Sequence, residues 1–439
     1  MTPTPIPLPA HADAAERSLA AAKARYVERN PKSLQRWQFA TKSMPGGNTR
    51  TVLFFDPFPL CMDRAEEARL FDVDDHEYHD LLGEYSAGIY GHSHPVIKEA
   101  LNSALGSGLV LSAHNVLEAE LARLICTRFE SVELLRFTNS GTEANIMALA
   151  TAVAITRRKR ILVFEGAYHG SVLSFADQPS VTNLPHDFVV APYNDVKHVR
   201  GLVAKIGHEL AAVLVEPMLG AGGCTPADPA FLSMLASEAR RVGALLIFDE
   251  IQTSRLSLGG RQQLLGIRPD LTTLGKYFGG GLTFGAFGGR RDLMSHYDPR
   301  RRDHLSHPGT FNNNILSMAA GLAGLSQVLT AEALEGLNAR GDRLRDALNE
   351  KFDELGANMY VTGLGSIMNV HVRADRRYAR AARELLFFSL LERGFYMASR
   401  GLITLSLPVT DTTISLFVSA VGEVIEKHRD VFCPRPGTM

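Results

Sequence analysis

The sequence predicts an α/β protein: a large domain holding a mostly parallel, doubly wound sheet, and a smaller α+β domain. Three observations carry this. From about residue 134 to residue 290, short apolar runs alternate with helix-patterned stretches, the mark of βαβ units. The runs Arg160–Phe164, Ala211–Glu216 and Ala244–Phe248 show no polar alternation, so they read as strands buried on both faces. Beyond about residue 330 the pattern changes to long helix, strand, helix, strand, helix. The expected division is therefore 1–80 as an N-terminal segment joining the small domain, 81–329 as the large domain and 330–439 as the small domain.

Composition sets the outer bounds. A chain of 439 residues, 45% hydrophobic and 21% charged, can bury a sizeable core. With 46 basic against 47 acidic residues, nothing points to nucleic acid or a membrane surface as partner. Cys61, Cys126, Cys224 and Cys433 are scattered without CxxC spacing, which favours reduced thiols in the cytosol over disulfides or a zinc site. No apolar run is long enough to span a bilayer. The Pro-rich start, Met1–Glu16, lacks a signal pattern and reads as a disordered leader, as does the tail Cys433–Met439.

Taken in order, Ala14–Ala40 is helical in composition and breaks at Asn30-Pro31, because proline ends one helix or opens the next. Met44–Phe55 reads as a Pro-Gly-Gly turn, then Arg50 and a β-type run. Arg50 is by default a surface arginine; its place also suits a carboxylate pocket. Leu60–Met62 and Arg69–Val73 suggest a hairpin with an acidic turn at Asp72, Asp74 and Asp75. Glu84–Leu101 reads as a glycine-punctuated loop and a helix starting near Pro95. Tyr85 and Tyr90 on that loop either pack or meet a ligand. His92 and His94 lack a third ligand nearby, so no metal site is expected.

Leu134–Asn145 is a strand running into Thr138-Asn139-Ser140-Gly141-Thr142 and then an Ala-rich helix. Such a helix start offers backbone N–H groups, hydroxyls and a favourable dipole to a phosphate; Ser140 is equally an ordinary helix cap. Walker and GxGxxG spacings are absent, against nucleotides. Arg160–Phe164 ends at Tyr168-His169-Gly170, where an aromatic could stack on a flat ring. Ala211–Glu216 is followed by the loop Leu219–Thr225 and the helix Phe231–Val242.

Ala244–Phe248 then delivers Asp249 to the carboxyl end of a buried strand, where open α/β sheets keep their ligands. Leu271–Phe284 delivers Lys276 among Gly275, Gly279, Gly280 and Gly281. A desolvated lysine is a nucleophile towards carbonyls, and a buried carboxylate needs a cationic partner. The ring nitrogen and the aldehyde of pyridoxal phosphate (PLP) would satisfy both. The competing readings are a helix-capping Asp249 and a surface lysine on a Gly-rich turn. His307–Leu325 is a loop with Thr310, another candidate phosphate hydroxyl or cap, leading into a small-residue helix. Glu332–Leu355 is amphipathic helix, Tyr360–Val372 strand, Arg380–Arg393 helix, Leu402–Leu407 a β-run and Thr410–Lys427 the last helix.

The set of motifs resembles the class III (ω-) aminotransferases of PLP fold type I. NSGTEAN at 139–145, GAYHG at 166–170, EP at 216–217, FDEIQTS at 248–254, LGKYFGGG at 274–281 and GTFNNN at 309–314 come in that family's order and span nearly the whole chain. PGGNTRTVLFF, EYSAGIYGHS and SHPGTFNNN look most like the bacterial aromatic β-amino acid (β-phenylalanine) subgroup. The family usually has Gly where Ser254 stands.

The resemblance implies the fold-type-I architecture and a homodimer with shared sites. It implies that Lys276 carries the cofactor as a Schiff base and moves the proton, and that Asp249 keeps the ring nitrogen protonated. Ser140, Gly141 and Thr142 would hold the phosphate with Thr310 of the other subunit, and Tyr168 would stack on the ring. His169, Glu216 and Gln252 would lie near the cofactor. Arg50 would bind the β-carboxylate, Arg400 the acceptor's carboxylate, and Tyr85 would line the pocket. The implied reaction is ping-pong transfer from a β-amino acid to 2-oxoglutarate or pyruvate. A broad amine transaminase, an aminomutase and a non-catalytic PLP-binding protein are the rivals.

Overall fold

The computed structural model describes residues 9–92, 94–176 and 180–433. The chain divides into two compact units: the described residues of Ser86–Tyr90 and His94–Asn338 form one, and those of Met1–Tyr85, Gly91–Ser93 and Ala339–Met439 form the other.

The larger unit is built on seven strands: β1 (Leu134–Thr138), β2 (Arg160–Phe164), β3 (Asp187–Ala191), β4 (Leu210–Val215), β5 (Leu245–Asp249), β6 (Leu271–Gly275) and β7 (Gly285–Gly289). They lie in the order β1-β7-β6-β5-β4-β2-β3. β7 runs antiparallel to both neighbours, while β6, β5, β4, β2 and β3 pair in parallel. The unbroken apolar runs are explained by what covers the sheet. Ile161, Val163, Ala212, Leu214, Leu245 and Ile247 pack on one face, with Ala144, Ala148 and Ala152 of helix α1 (Gly141–Thr156). Their neighbours Leu162, Phe164, Val213, Val215, Leu246 and Phe248 pack on the other, with Phe231, Leu232 and Leu235 of helix α2 (Pro229–Val242). Consecutive strand residues point to opposite faces. With both faces covered, these runs are apolar throughout, and each fully buried aliphatic side chain contributes about 1.5–3 kcal/mol; the buried Thr272 and Thr273 of β6 are hydrogen-bonded instead.

The smaller unit takes material from both ends of the chain. Met62–Glu66, Arg69–Asp72 and Glu77–Asp80 form an antiparallel meander, which Phe395–Tyr396 extends in parallel. Met359–Leu364, Ile367–Val372 and Leu402–Thr404 form a second antiparallel sheet. Helices Pro9–Arg29, Pro31–Ala40, α3 (Arg376–Leu391) and Asp411–Lys427 belong to the same unit.

Four expectations are corrected. The β-type run before Phe55 is no strand: Pro45–Gly47 and Thr51–Leu53 are short 3-10 turns, with Gly46 and Gly47 at positive φ. The first helix starts at Pro9, inside the expected leader; residues 1–8, and 434–439 of the expected tail, lie outside the described residues. The acidic turn joins Arg69–Asp72 to Glu77–Asp80, because Asp72 Oδ1 accepts from the N–H of Asp74 and of His76, both at 2.9 Å. Tyr360–Val372 is two strands, folded back at the Gly365 turn.

Candidate active site

The carboxyl ends of the parallel strands gather the polar residues of the larger unit. Asp249 closes β5 and is only 4% exposed. Its Oδ2 accepts from Asn145 Nδ2 and from His169 Nδ1, both at 2.8 Å, and its Oδ1 from the Ile251 N–H at 3.0 Å. In register it faces Thr273 of β6, whose hydroxyl donates to Asn145 Oδ1 at 2.7 Å. Asn145 also donates to the His169 carbonyl at 2.9 Å. One amide on helix α1 thus ties together β5, β6 and the loop after β2.

Glu216, just past β4, is buried as well. Its two oxygens accept from the N–H groups of Tyr168 and Gly220, at 2.9 Å and 3.0 Å. Burial pushes its carboxyl up to about 7; the nearby Asp249 adds to the rise and His169 opposes it.

Lys276 follows β6 immediately, with φ at 56°. The left-handed region costs a non-glycine residue of order 1–3 kcal/mol and is kept where the surroundings impose it. Gly275 before it packs against the start of α1, where a Cβ would sit at contact distance, 3.4 Å, from Gly141 Cα. Gly141 opens α1, and a Cβ there would fall inside the Ile251 side chain. Ser140 caps that helix, its hydroxyl accepting from the Glu143 N–H at 3.1 Å. The first N–H groups of α1, those of Gly141 and Thr142, have no intrahelical acceptor. A capped helix start of this kind can also receive an anion.

These groups fit a planar, phosphate-bearing, cationic cofactor with an aldehyde. His169 Nε2 and Gln252 Oε1 are buried without a partner among the described residues, and buried polar atoms of this kind are ordinarily hydrogen-bonded, so both are free to meet a bound group. Asp249 is buried and paired with His169, and a ring N–H⁺ would add a cationic partner. Tyr168 is 44% exposed at the same strand end, and Thr310 is exposed on its loop.

The remaining expected residues lie in the smaller unit, and there they form one cluster. The guanidinium carbons of Arg50 and Arg400 lie 5.5 Å and 5.6 Å from the ring centre of Tyr85, a cation–π range. The Tyr85 hydroxyl donates to the Val52 carbonyl at 3.0 Å. Arg50 is also ion-paired to Glu84. Gly83, Glu84, Tyr85 and Ser86 have φ of 51°, 49°, 54° and 73°, a left-handed turn that only Gly83 adopts freely. Burial pushes the Tyr85 phenol up, and the two arginines pull it back.

Sequence reasoning missed Asn145 and Glu84. A lone buried amide among the alanines of α1 was the available signal for Asn145. Glu84 meets Arg50 across 34 positions, and no local pattern announces that. His92, paired with Asp80 at 2.9 Å, and His94, at the cap position of helix Pro95–Ser107, have structural places.

Comparison with known proteins follows this geometry. Residues 55–424 match the family model for aminotransferase class-III. The chain is 50% identical over 423 residues to the beta-phenylalanine transaminase of Variovorax paradoxus, covering 94% of this chain and 97% of that protein. It is 38% identical over 412 residues to the glutamate-1-semialdehyde 2,1-aminomutase of Desulforudis audaxviator, covering 87% and 94%. A solved beta-phenylalanine aminotransferase from Variovorax paradoxus matches with a TM-score of 0.93 at 50% identity, over 95% of this chain and 99% of that one.

Proposed function

The chain belongs to the class III aminotransferases, which are PLP-dependent enzymes, and on that premise we propose that it moves the amino group of an aromatic β-amino acid, such as β-phenylalanine, to a 2-oxo acid in two half-reactions. The observation that carries the substrate class is the pair of arginines on one tyrosine ring. A transaminase of this kind must hold two different acids in turn, and a guanidinium grips a carboxylate through two parallel N–H bonds. Arg50 takes the β-carboxylate of the donor, Arg400 the carboxylate of 2-oxoglutarate or pyruvate, and Tyr85 supports both. The name of the 50% identical relative supports the same substrate class.

When bound, PLP supplies an electron sink for the carbon that loses its proton. The chain does the rest. Lys276 holds the aldehyde and, once released, takes the proton from the substrate carbon and gives it back. Asp249, kept in place by Asn145 and Ile251, holds a proton on the ring nitrogen. The start of α1, through Ser140, Gly141 and Thr142, would hold the phosphate; Tyr168 would stack on the ring, and His169, Glu216 and Gln252 would lie near it.

The same reading makes the enzyme a homodimer with Thr310 completing the partner's phosphate site. Leu109, Val110, Leu111, Val116 and Phe311 are all exposed in the larger unit, an apolar patch of the kind that marks an interface. Mixing a Lys276→Ala chain with a Thr310→Ala chain would then restore one intact site per hybrid dimer. By function, the proposed division is 1–80 with 330–439 as the small domain and 81–329 as the cofactor domain; the compact units have their main boundaries a few residues later, after Tyr85 and Asn338. Cytoplasmic residence fits the four cysteines, which remain thiols.

The deciding experiment adds 3-amino-3-phenylpropanoate to the purified protein without any keto acid and follows the cofactor's visible absorbance. Bleaching that 2-oxoglutarate reverses is the expected result. Bleaching with 1-phenylethylamine but not with the β-amino acid would make it an amine transaminase. Isomerisation of an amino aldehyde without external acceptor would make it an aminomutase.

A further inference from the structure

Within the smaller unit lies a cavity of about 330 Å³ of which the reaction above uses only Arg400, large enough for a small ligand. Helix α3 lines it with Arg376, Arg380 and Arg383, whose spacing puts them on one face of the helix. Arg400 contributes a fourth guanidinium. Among the described residues, the carboxylates in the lining are Asp56 and Glu384, and both are already engaged. Lys23 Nζ lies 2.9 Å from Asp56 Oδ2 and 3.0 Å from Glu384 Oε2. Arg380 Nε lies 2.9 Å from Glu384 Oε1. Arg383 Nε is buried with no acceptor among the described residues, and an unmet buried donor costs about 1–3 kcal/mol. Like charges one turn apart also weaken the helix by a few tenths of a kcal/mol. The cavity thus gathers four guanidinium groups, and one of them, that of Arg383, holds an unmet donor.

We propose that this cavity is a binding site for a small multivalent oxyanion, a dicarboxylate or a phosphate compound, gripped by Arg376, Arg380, Arg383 and Arg400. Several oxygens on one ligand would satisfy several guanidinium forks at once, which a single chloride would not. A consequence follows for Arg400, which also lies over Tyr85. One guanidinium serves one anion at a time, so an occupant of the cavity competes with the acid that Arg400 receives. That consequence, unlike the binding itself, rests on the acceptor role given to Arg400 above.

The test is calorimetric titration of the holoenzyme with pyrophosphate and, separately, with glutarate, at constant ionic strength set with chloride. Saturable binding at one site per chain is expected, weakened about 10-fold or more by Arg380→Gln and by Arg383→Gln with the cofactor spectrum unchanged. The Arg380 side chain is 76% exposed, so its variant keeps the question answerable if Arg383→Gln fails to fold. Pyrophosphate binding alone assigns the phosphate class, and glutarate binding alone the dicarboxylate class. Absence of saturable binding, or binding that survives Arg380→Gln, overturns the site. Steady-state kinetics test the consequence: saturating pyrophosphate should raise KM for 2-oxoglutarate several-fold and leave KM for the amino donor unchanged. Binding without that kinetic effect would remove the competition at Arg400 and leave the cavity site standing.

Discussion

At the carboxyl ends of the sheet, Asp249 is 4% exposed and accepts three hydrogen bonds from groups fixed by β5, helix α1 and the loop after β2. In the smaller unit, the Arg50 side chain is 43% exposed and leans on Glu84 and the Tyr85 ring. The first arrangement is buried and preorganised, so breaking one member strands the others at full desolvation cost. The second is half in water, where an ion pair is worth about 0–1 kcal/mol. A substrate carboxylate can replace Glu84 there at little expense. On the proposed assignment, chemistry common to all substrates falls to the buried region, and the choice among acids to the half-exposed one.

The largest expected effect tests the buried side. Lys276→Ala should abolish multiple turnover on every amino donor while circular dichroism shows the fold retained. Sustained turnover by that variant would end the assignment of Lys276 as the proton carrier. A second break point is Glu216. Burial raises its carboxyl from the ordinary range to about 7, so the folded chain keeps a proton that the unfolded chain has released. Its stabilising contribution is therefore full below about pH 4.5, falls as pH rises towards 7 and is flat above that. Over that window the loss is of order 3 kcal/mol at most. The difference in urea midpoint between wild type and Glu216→Gln should change steeply from pH 4.5 to pH 7. A difference independent of pH would show that Glu216 is not held protonated.

On the half-exposed side, Arg50→Ala should lower kcat/KM for β-phenylalanine about 100-fold, equivalent to about 3 kcal/mol for a charge-assisted bidentate contact. The loss on 1-phenylethylamine, which has no carboxylate, should stay within a few-fold. Equal losses on the two donors would take Arg50 out of carboxylate recognition.

The two regions were not equally legible in the sequence. β2, β4 and β5 declared themselves because burial on both faces forbids polar residues, so each polar residue after a run marks a strand end. Asp249 was readable for that reason and Lys276 from the glycines around it, and Asn145 was one step away as the lone amide of an alanine helix face. The surroundings of Arg50 follow no such periodicity. Thr51–Phe55 has β-type composition yet folds through a 3-10 turn, because Gly46 and Gly47 redirect the chain just before it. Gly83 hints at a turn, but nothing local says that Glu84, Tyr85 and Ser86 continue it in the left-handed region. Those backbone angles are imposed by tertiary packing, which no short window of sequence contains.

The smallest expected effect bears most directly on the contrast. Glu84→Gln keeps side-chain size and demands the same left-handed backbone, so it removes charge alone. If the Arg50–Glu84 pair is a placeholder that the substrate displaces, the variant should lower KM for β-phenylalanine about 3-fold, within the worth of a half-exposed ion pair. KM for 1-phenylethylamine should not move, and added salt should narrow the gap between variant and wild type, because salt screens exposed charges. A rise in KM instead would mean that Glu84 aims Arg50 at its ligand. The cluster around Tyr85 would then be preorganised like the Asp249 network, and the strain in the Gly83–Ser86 turn would serve to hold that aim.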